Sequence, residues 1–405
     1  MLCYKAFVLV AATFVLCVAP EFALATDGEK ILHTFYNEPA ANPSSNLILD
    51  AKGNLYGSTG SSGLEACKCG TVFRLSPQVG GGWSYEVLYQ FQGEEDGGYP
   101  TGKLVFDKTG KLYGAMAWGN GGVFELTQQP GGSWAETAIY TFTGAPDGSR
   151  PYSGLTIDNS GNLYGTTQSG GANGIGCVYM VSPTANGWSE TVLHSFSGSD
   201  GAYPWADVTL DAAGNVYGTT IAGGAYGQGA VFELKASQGS WTETVLYSFR
   251  GGTQHGWPAA GVYLDASGKI FGTLSDNGDD GLPGAVFRLE ANSDGKWTET
   301  LLHAFGKRGD GGFPWSDLVP DAAGSLYGTT YVGGNTGNGV IYKLTQNAKG
   351  NWIETVFFSF NYHDGASPAD NPVTFDAAGN LFVGTVYGGV HEGYDGYGVV
   401  LELAP

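Results

Sequence analysis

Between Leu155 and Phe196, apolar and polar residues alternate with a period of two in short bursts, and each burst ends at a turn. Leu155-Thr156-Ile157 alternates, Asp158-Asn159-Ser160-Gly161 interrupts it, and Asn162 to Thr167 (NLYGTT) resumes it. A glycine-rich loop, Ser169 to Gly176, leads into Cys177-Val178-Tyr179-Met180-Val181, and a turn over Thr184 to Gly187 leads into Trp188 to Phe196 (WSETVLHSF). Runs of this length, rich in Val, Ile, Tyr and Thr and bounded by Gly, Asn and Asp, are strands joined as hairpins. Helical period and helical length are both missing. The unit predicts four antiparallel strands.

The unit recurs. Copies of D-x-x-G-x-L-Y-G-T-T start at Asp50, Asp107, Asp158, Asp211, Asp265, Asp321 and Asp376. A regular period means one supersecondary unit stacked on copies of itself, each burying the face its neighbour cannot. Seven units of four strands predict an all-β fold, a seven-bladed β-propeller over residues 26–405. The last unit stops at a third strand, Val399 to Leu403, whereas a copy of the fourth-strand pattern, Glu29 to Phe35, lies ahead of the first unit. That N-terminal strand is expected to complete the last blade, close the ring and cover two sheet edges.

The recurring residues have structural explanations. Asp and Gly in D-x-x-G suit a tight turn, with the Asp side chain accepting local backbone N–H groups. Gly165 and its equivalents are expected to permit close approach between crowded strands. Trp83, Trp134, Trp188, Trp241, Trp297 and Trp352 open the fourth strand and are expected to pack on the adjoining blade. The L-Y-G-T-T, G-G-x-x-G-x-G-x-V-F-x-L and L-x-x-F blocks resemble the GloVer tandem repeat of secreted bacterial proteins, over essentially all of residues 27–405. That family is defined by its repeat. The resemblance therefore implies an extracellular repeat protein and supplies no catalytic residues.

Composition adds an address. Lys5, the apolar run Ala6 to Val18 and the small-x-small site Ala23-Leu24-Ala25 read as a secretory signal over residues 1–25, cleaved near Ala25. Export to the extracellular space or the periplasm is expected, without membrane insertion. Three cysteines follow: Cys67 and Cys69, whose bridging the spacing leaves open, and Cys177, read as a small buried hydrophobe. The formal net charge of −20 disfavours nucleic acids and anionic membranes. A monomer is the expected state.

Function should sit where the copies differ, on the connections from the fourth strand into the next blade. Asp96, Asp147, Asp200, Asp310 and Asp364 recur there as Asp-Gly, with His255 once in place of Asp, and read as turn residues. After the proline the residue varies: Thr101, Tyr152, Trp205, Ala259, Trp315 and Ala369. Two positions on come Lys103, Gly154, Asp207, Gly261 and Asp317. Trp205, Trp257 and Trp315 fall in successive units and so in one sector of one rim. Aromatic faces beside carboxylates suit sugars, whose C–H faces pack on rings while hydroxyls bond carboxylates. Tyr152, Trp205, Asp207, Trp257, Trp315 and Asp317 are therefore the candidate ligand-binding residues, with interblade packing the competing role.

No cofactor or metal site is predicted. The acidic loop Asp276 to Asp280 lacks the spacing of a calcium loop, and His33, His194 and His303 share one fourth-strand position that reads as framework. No G-x-S-x-G, H-E-x-x-H or phosphate-binding loop occurs. A secreted, non-enzymatic binding scaffold for a glycan or cell-envelope component is the leading expectation. The alternatives are an extracellular enzyme acting on polysaccharide, lyase or hydrolase, with its site at the channel mouth, and a purely structural role.

Overall fold

A computed structural model describes residues 28–36, 40–43, 45–61, 69–93, 96–237, 239–275, 283–368, 370–391 and 394–404. Residues 1–25, Cys67, Ala369 and the Asp276–Asp280 loop lie outside them. Seven antiparallel sheets, each with the same four strands a to d, follow one another as a seven-bladed propeller. Blade 3 runs Thr156–Ile157 (a), Leu163–Thr167 (b), Cys177–Thr184 (c) and Gly187–Ser195 (d), paired in that order. Local chemistry sets the a–b turn. Asp158 accepts the N–H groups of Ser160 at 2.8 Å and Asn162 at 2.9 Å, and Gly161 takes φ +86°. Burial would raise the Asp158 carboxyl, but the Asn162 and Ser160 hydrogen bonds outweigh it and hold the group below its ordinary value.

The ring closes as the repeat predicts. Glu29–Thr34 pairs antiparallel with Val399–Leu403, placing Glu29 opposite Leu403 and Thr34 opposite Val399, so the N-terminus supplies strand d of blade 7. In every blade the c–d register slips once, at Leu88, Ile139, Leu193, Leu246, Leu302, Phe357 and, in the closing strand, Leu32. These β-bulges change which side chains of strand d face inward. Leu193 and Phe196 are both buried, although they stand three positions apart, while His194 between them is only partly covered.

Seven apolar clusters form the core, and each spans two neighbouring blades. The strand-b glycine works differently from expectation. A Cβ on Gly165 would lie 2.5 Å from the Tyr179 hydroxyl, and one on Gly218 would lie 2.6 Å from Phe232, so the missing side chain admits an aromatic ring from strand c. That ring receives a phenylalanine from the preceding blade edge-on, as Phe196 meets Phe232 at 5.2 Å. Blade 7 supports this account: Val383 replaces the glycine, and the residue paired with it is Leu401. The strand-d tryptophans pack across blades as expected, Trp188 on Tyr113, Trp241 on Tyr164 and Trp352 on Phe271. Cys177 is buried with a free thiol, and Cys69 is disulfide-bonded.

Candidate functional site

Each connection from strand d crosses to the ring axis through an X-Pro step. In all seven, the residue before proline is non-glycine with φ between +50° and +60°: Asn42, Tyr99, Arg150, Tyr203, Trp257, Phe313 and Ser367. This left-handed backbone is costly for a bulky residue, at roughly 1–3 kcal/mol. Two contacts hold it. The backbone N–H donates to a carbonyl of the preceding blade, as Tyr203 does to Ile175 at 2.8 Å and Trp257 to Gln228 at 3.0 Å. The proline ring then fills space left by a glycine there; a Cβ on Gly176 would lie 2.5 Å from Pro204. The residues that follow are thereby delivered to the axis.

A cavity of about 130 Å³ is lined by residues from every blade, among them Asn46, Thr101, Tyr152, Trp205, Ala259, Trp315 and Asp370. Only the axis is within reach of all seven blades, so this is the mouth of the central channel. Asp207 and Asp317 line it too. A second, more apolar cavity of about 190 Å³ adjoins it, sharing Trp205, Ala259, Trp315 and Asp370 and adding Trp257 and Ile221. All six residues singled out from sequence thus border one two-part cavity. Trp205, Trp257, Trp315 and Tyr152 are partly exposed rather than sealed between blades. Tyr152 stacks on Trp205 with ring centroids 4.8 Å apart, and Trp315 leans on Tyr331 at 5.0 Å.

The carboxylates are tied to the ring by one oxygen each. Asp207 Oδ1 accepts the Gly154 N–H, and Asp317 Oδ1 accepts the Gly261 N–H at 2.6 Å, in each case from the preceding blade. Asp207 Oδ2 is enclosed and has no hydrogen-bond partner. Enclosure raises the Asp207 carboxyl above its ordinary value, Asp317 adds to the rise, and Lys103 and the Gly154 N–H oppose it. Asp317 is raised by the same enclosure, against the Gly261 N–H and Lys103.

Asp370, a lining residue, escaped the sequence reading. The threonine hydroxyls of strand b bond to the next blade's axial carbonyls: Thr166 to Ala206 at 3.1 Å, Thr219 to Ala260 at 2.8 Å and Thr329 to Asn371 at 3.2 Å. Asn371 is therefore the counterpart of Ala206, and Asp370, not Ala369, is the counterpart of Trp205. The signal was present as spacing: Pro368 precedes its turn Asp376 by eight residues, whereas Pro204 precedes Asp211 by seven. Enclosure and then Asp317 raise Asp370, although its open contact with channel solvent moderates the effect.

A second set of acids lies between the blades, at the outer strands. Tyr89 donates to Asp96 at 2.9 Å and Tyr140 to Asp147 at 3.1 Å, while His194 and His303 bond Asp200 and Asp310 at 3.0 and 3.1 Å. A strand-d glutamate of the next blade faces each pair. Burial, then the adjacent aspartate, push Glu136, Glu190 and Glu243 up to about 7. The Oε1 atoms of Glu136, Glu190, Glu243, Glu299 and Glu354 are buried without a hydrogen-bond partner. In two places, His194–Asp200–Glu243 and His303–Asp310–Glu354, the ligand atoms lie within 4.8 Å of one another, close enough to share a metal ion. Sequence spacing hid both sets, because the glutamate comes from the next repeat. Where blade 7 meets blade 1 the pattern changes: His33 stacks on Tyr85 at 3.9 Å, and burial lowers its imidazole to about 4.

Three solved structures that align with this chain are distant from it in sequence. PorZ, an essential bacterial surface component of the type-IX secretion system of Porphyromonas gingivalis, aligns with TM-score 0.53 and 16% identity over 90% of this chain and 47% of its own. A 6-phosphogluconolactonase candidate from Bacteroides uniformis gives 0.51 and 14%, over 77% and 84%. The extracellular domain of BT3049, a hybrid two-component system protein of B. thetaiotaomicron, gives 0.51 and 12%, over 92% and 41%. At such identities the likeness establishes the fold alone. No curated protein sequence matches the chain. The Gloeobacter/Verrucomicrobia repeat matches residues 116–298 and 242–405, which together span well over half of the chain, and the protein belongs to that repeat family.

Proposed function

We propose that the protein is a secreted, non-enzymatic binding scaffold that takes a glycan or a glycan-bearing cell-envelope component at the channel mouth. The observation that carries this reading is the convergence of Tyr152, Trp205, Trp257 and Trp315 with Asp207 and Asp317 on one two-part cavity. Partly exposed indole faces supply the platform for sugar C–H faces, and the carboxylates supply acceptors for hydroxyls. Screening the protein on a glycan array identifies the ligand. Trp205→Ala and Trp315→Ala should then each weaken binding by more than about 1 kcal/mol without altering the fold. Unchanged affinity in both variants would remove the platform.

An extracellular polysaccharide lyase or hydrolase is the second reading, favoured by one observation. Asp207, Asp317 and Asp370 have raised carboxyls beside one another, and a raised carboxyl serves as a general acid. Incubation with the bound glycan separates the two: new reducing ends or unsaturated products would replace the scaffold with an enzyme.

A further inference from the structure

The mouth is unevenly charged. Three aspartates, Asp207, Asp317 and Asp370, border a cavity to which Lys103 is the cation felt by both Asp207 and Asp317. Gly154 and Gly261 bond one oxygen each of Asp207 and Asp317, and the second oxygen of Asp207 is enclosed and unpartnered. A neutral sugar would hydrogen-bond these groups but add nothing to the one positive charge that Lys103 sets against three carboxyls. The aromatic walls narrow the choice of cation. Indole faces contribute nothing to a hard metal ion, which seeks six or more oxygens, whereas they attract an organic ammonium. The apolar part of the cavity, with Trp205, Trp257, Ile221 and Trp315, then faces the uncharged body of the same molecule.

Building on the glycan reading above, we propose that the ligand is an amino sugar with a free amine, its ammonium among Asp207, Asp317 and Asp370 and its ring on the tryptophans. Acetylation of the amine would remove both the charge and the fit. The whole-protein charge of −20 also favours the approach of a cationic polymer over a uronate-rich one.

Calorimetry with three probes tests this: a β-1,4-glucosamine hexamer, its N-acetylated counterpart and cellohexaose, at about pH 6.5. The free-amine hexamer should bind at least about tenfold more tightly than either neutral probe. Its binding as an ammonium should release protons from the carboxyls and take them up at the amine, so the enthalpy should vary with the buffer's own ionisation enthalpy. Asp207→Asn and Asp317→Asn keep a carbonyl oxygen for the glycine N–H, so the fold persists; both should abolish the preference. Trp315→Ala should weaken all three probes together. Equal affinity for acetylated and free-amine hexamers overturns the charge inference and leaves the glycan reading standing. Asp207-dependent binding of hexylammonium, with no oligosaccharide bound, does the reverse. Failure of every probe overturns both.

Discussion

Carboxylates crowd together in two regions of this ring, and the two crowds are organised in opposite ways. Between the blades, four of the seven interfaces repeat one plan: a Tyr or His on strand d, an aspartate on the following loop and a glutamate from the next blade. At the axis, equivalent positions hold Tyr152, Trp205, Ala259, Trp315 and Asp370, and no two neighbours agree. Repetition marks a part of the molecule that several interfaces share. Variation marks the part needed once, where a ligand is met. Burial raises acids in both places, but the interblade acids are packed between neighbouring blades, whereas the axial acids line the channel cavity.

The harshest perturbation is of the frame both regions share. Deleting residues 26–36 removes strand d of blade 7 and leaves Val399–Leu403 as a bare edge. Aggregation or a large fall in melting temperature is expected, and a monomer with unchanged melting would refute the closure. Next comes a matched pair of tryptophans. Trp241→Ala, at an interface, should cost about 2–3 kcal/mol of stability, and Trp205→Ala, at the mouth, under about 1. Equal costs in denaturant titrations would erase the distinction between interface and mouth.

Titration separates the regions further. Glu136, Glu190 and Glu243 lie at about 7 in the folded protein, above the ordinary glutamate value. A raised folded value means the stability these groups contribute is complete below about pH 4.5 and is lost as pH rises through about 7. Unfolding free energy should therefore fall from pH 5 to pH 8, by about 1 kcal/mol for each glutamate once solvent exposure is allowed for, and melting temperature should fall with it. Glu190→Gln should flatten the slope by roughly its one share. A profile that rises over this window would show the interblade acids to be paired in some other way. The smallest expected effect is that of Asp207→Asn, within about 0.5 kcal/mol of neutral, because it removes an enclosed charge without losing the Gly154 bond. A cost above about 1 kcal/mol would show that the Asp207 carboxylate helps hold neighbouring blades together.

Much of this was legible in the chain. The bilateral strand pattern, the D-x-x-G turns and the seven copies identified the fold, because their causes are local or recur at a readable interval. The axial aromatics were legible as the odd residues within an otherwise constant connection. Other features depend on contacts between repeats. The bulge at Leu193 lets Leu193 and Phe196 both turn inward, but its slipped register is visible only against strand c. Gly165 reads as a backbone necessity until Tyr179 is seen filling the space above it.

The sequence by itself determined the seven-bladed ring, its N-terminal closure and the sector in which Trp205, Trp257 and Trp315 would meet, because repeat, period and turn chemistry are properties of contiguous residues. Tertiary structure alone decided the grouping of Glu243 with His194 and Asp200. It also left one Asp207 oxygen enclosed without a partner. Those outcomes are set by which side chains adjacent blades bring within a few ångströms, and by how much water is displaced when they do. Neither quantity is carried by spacing along one chain.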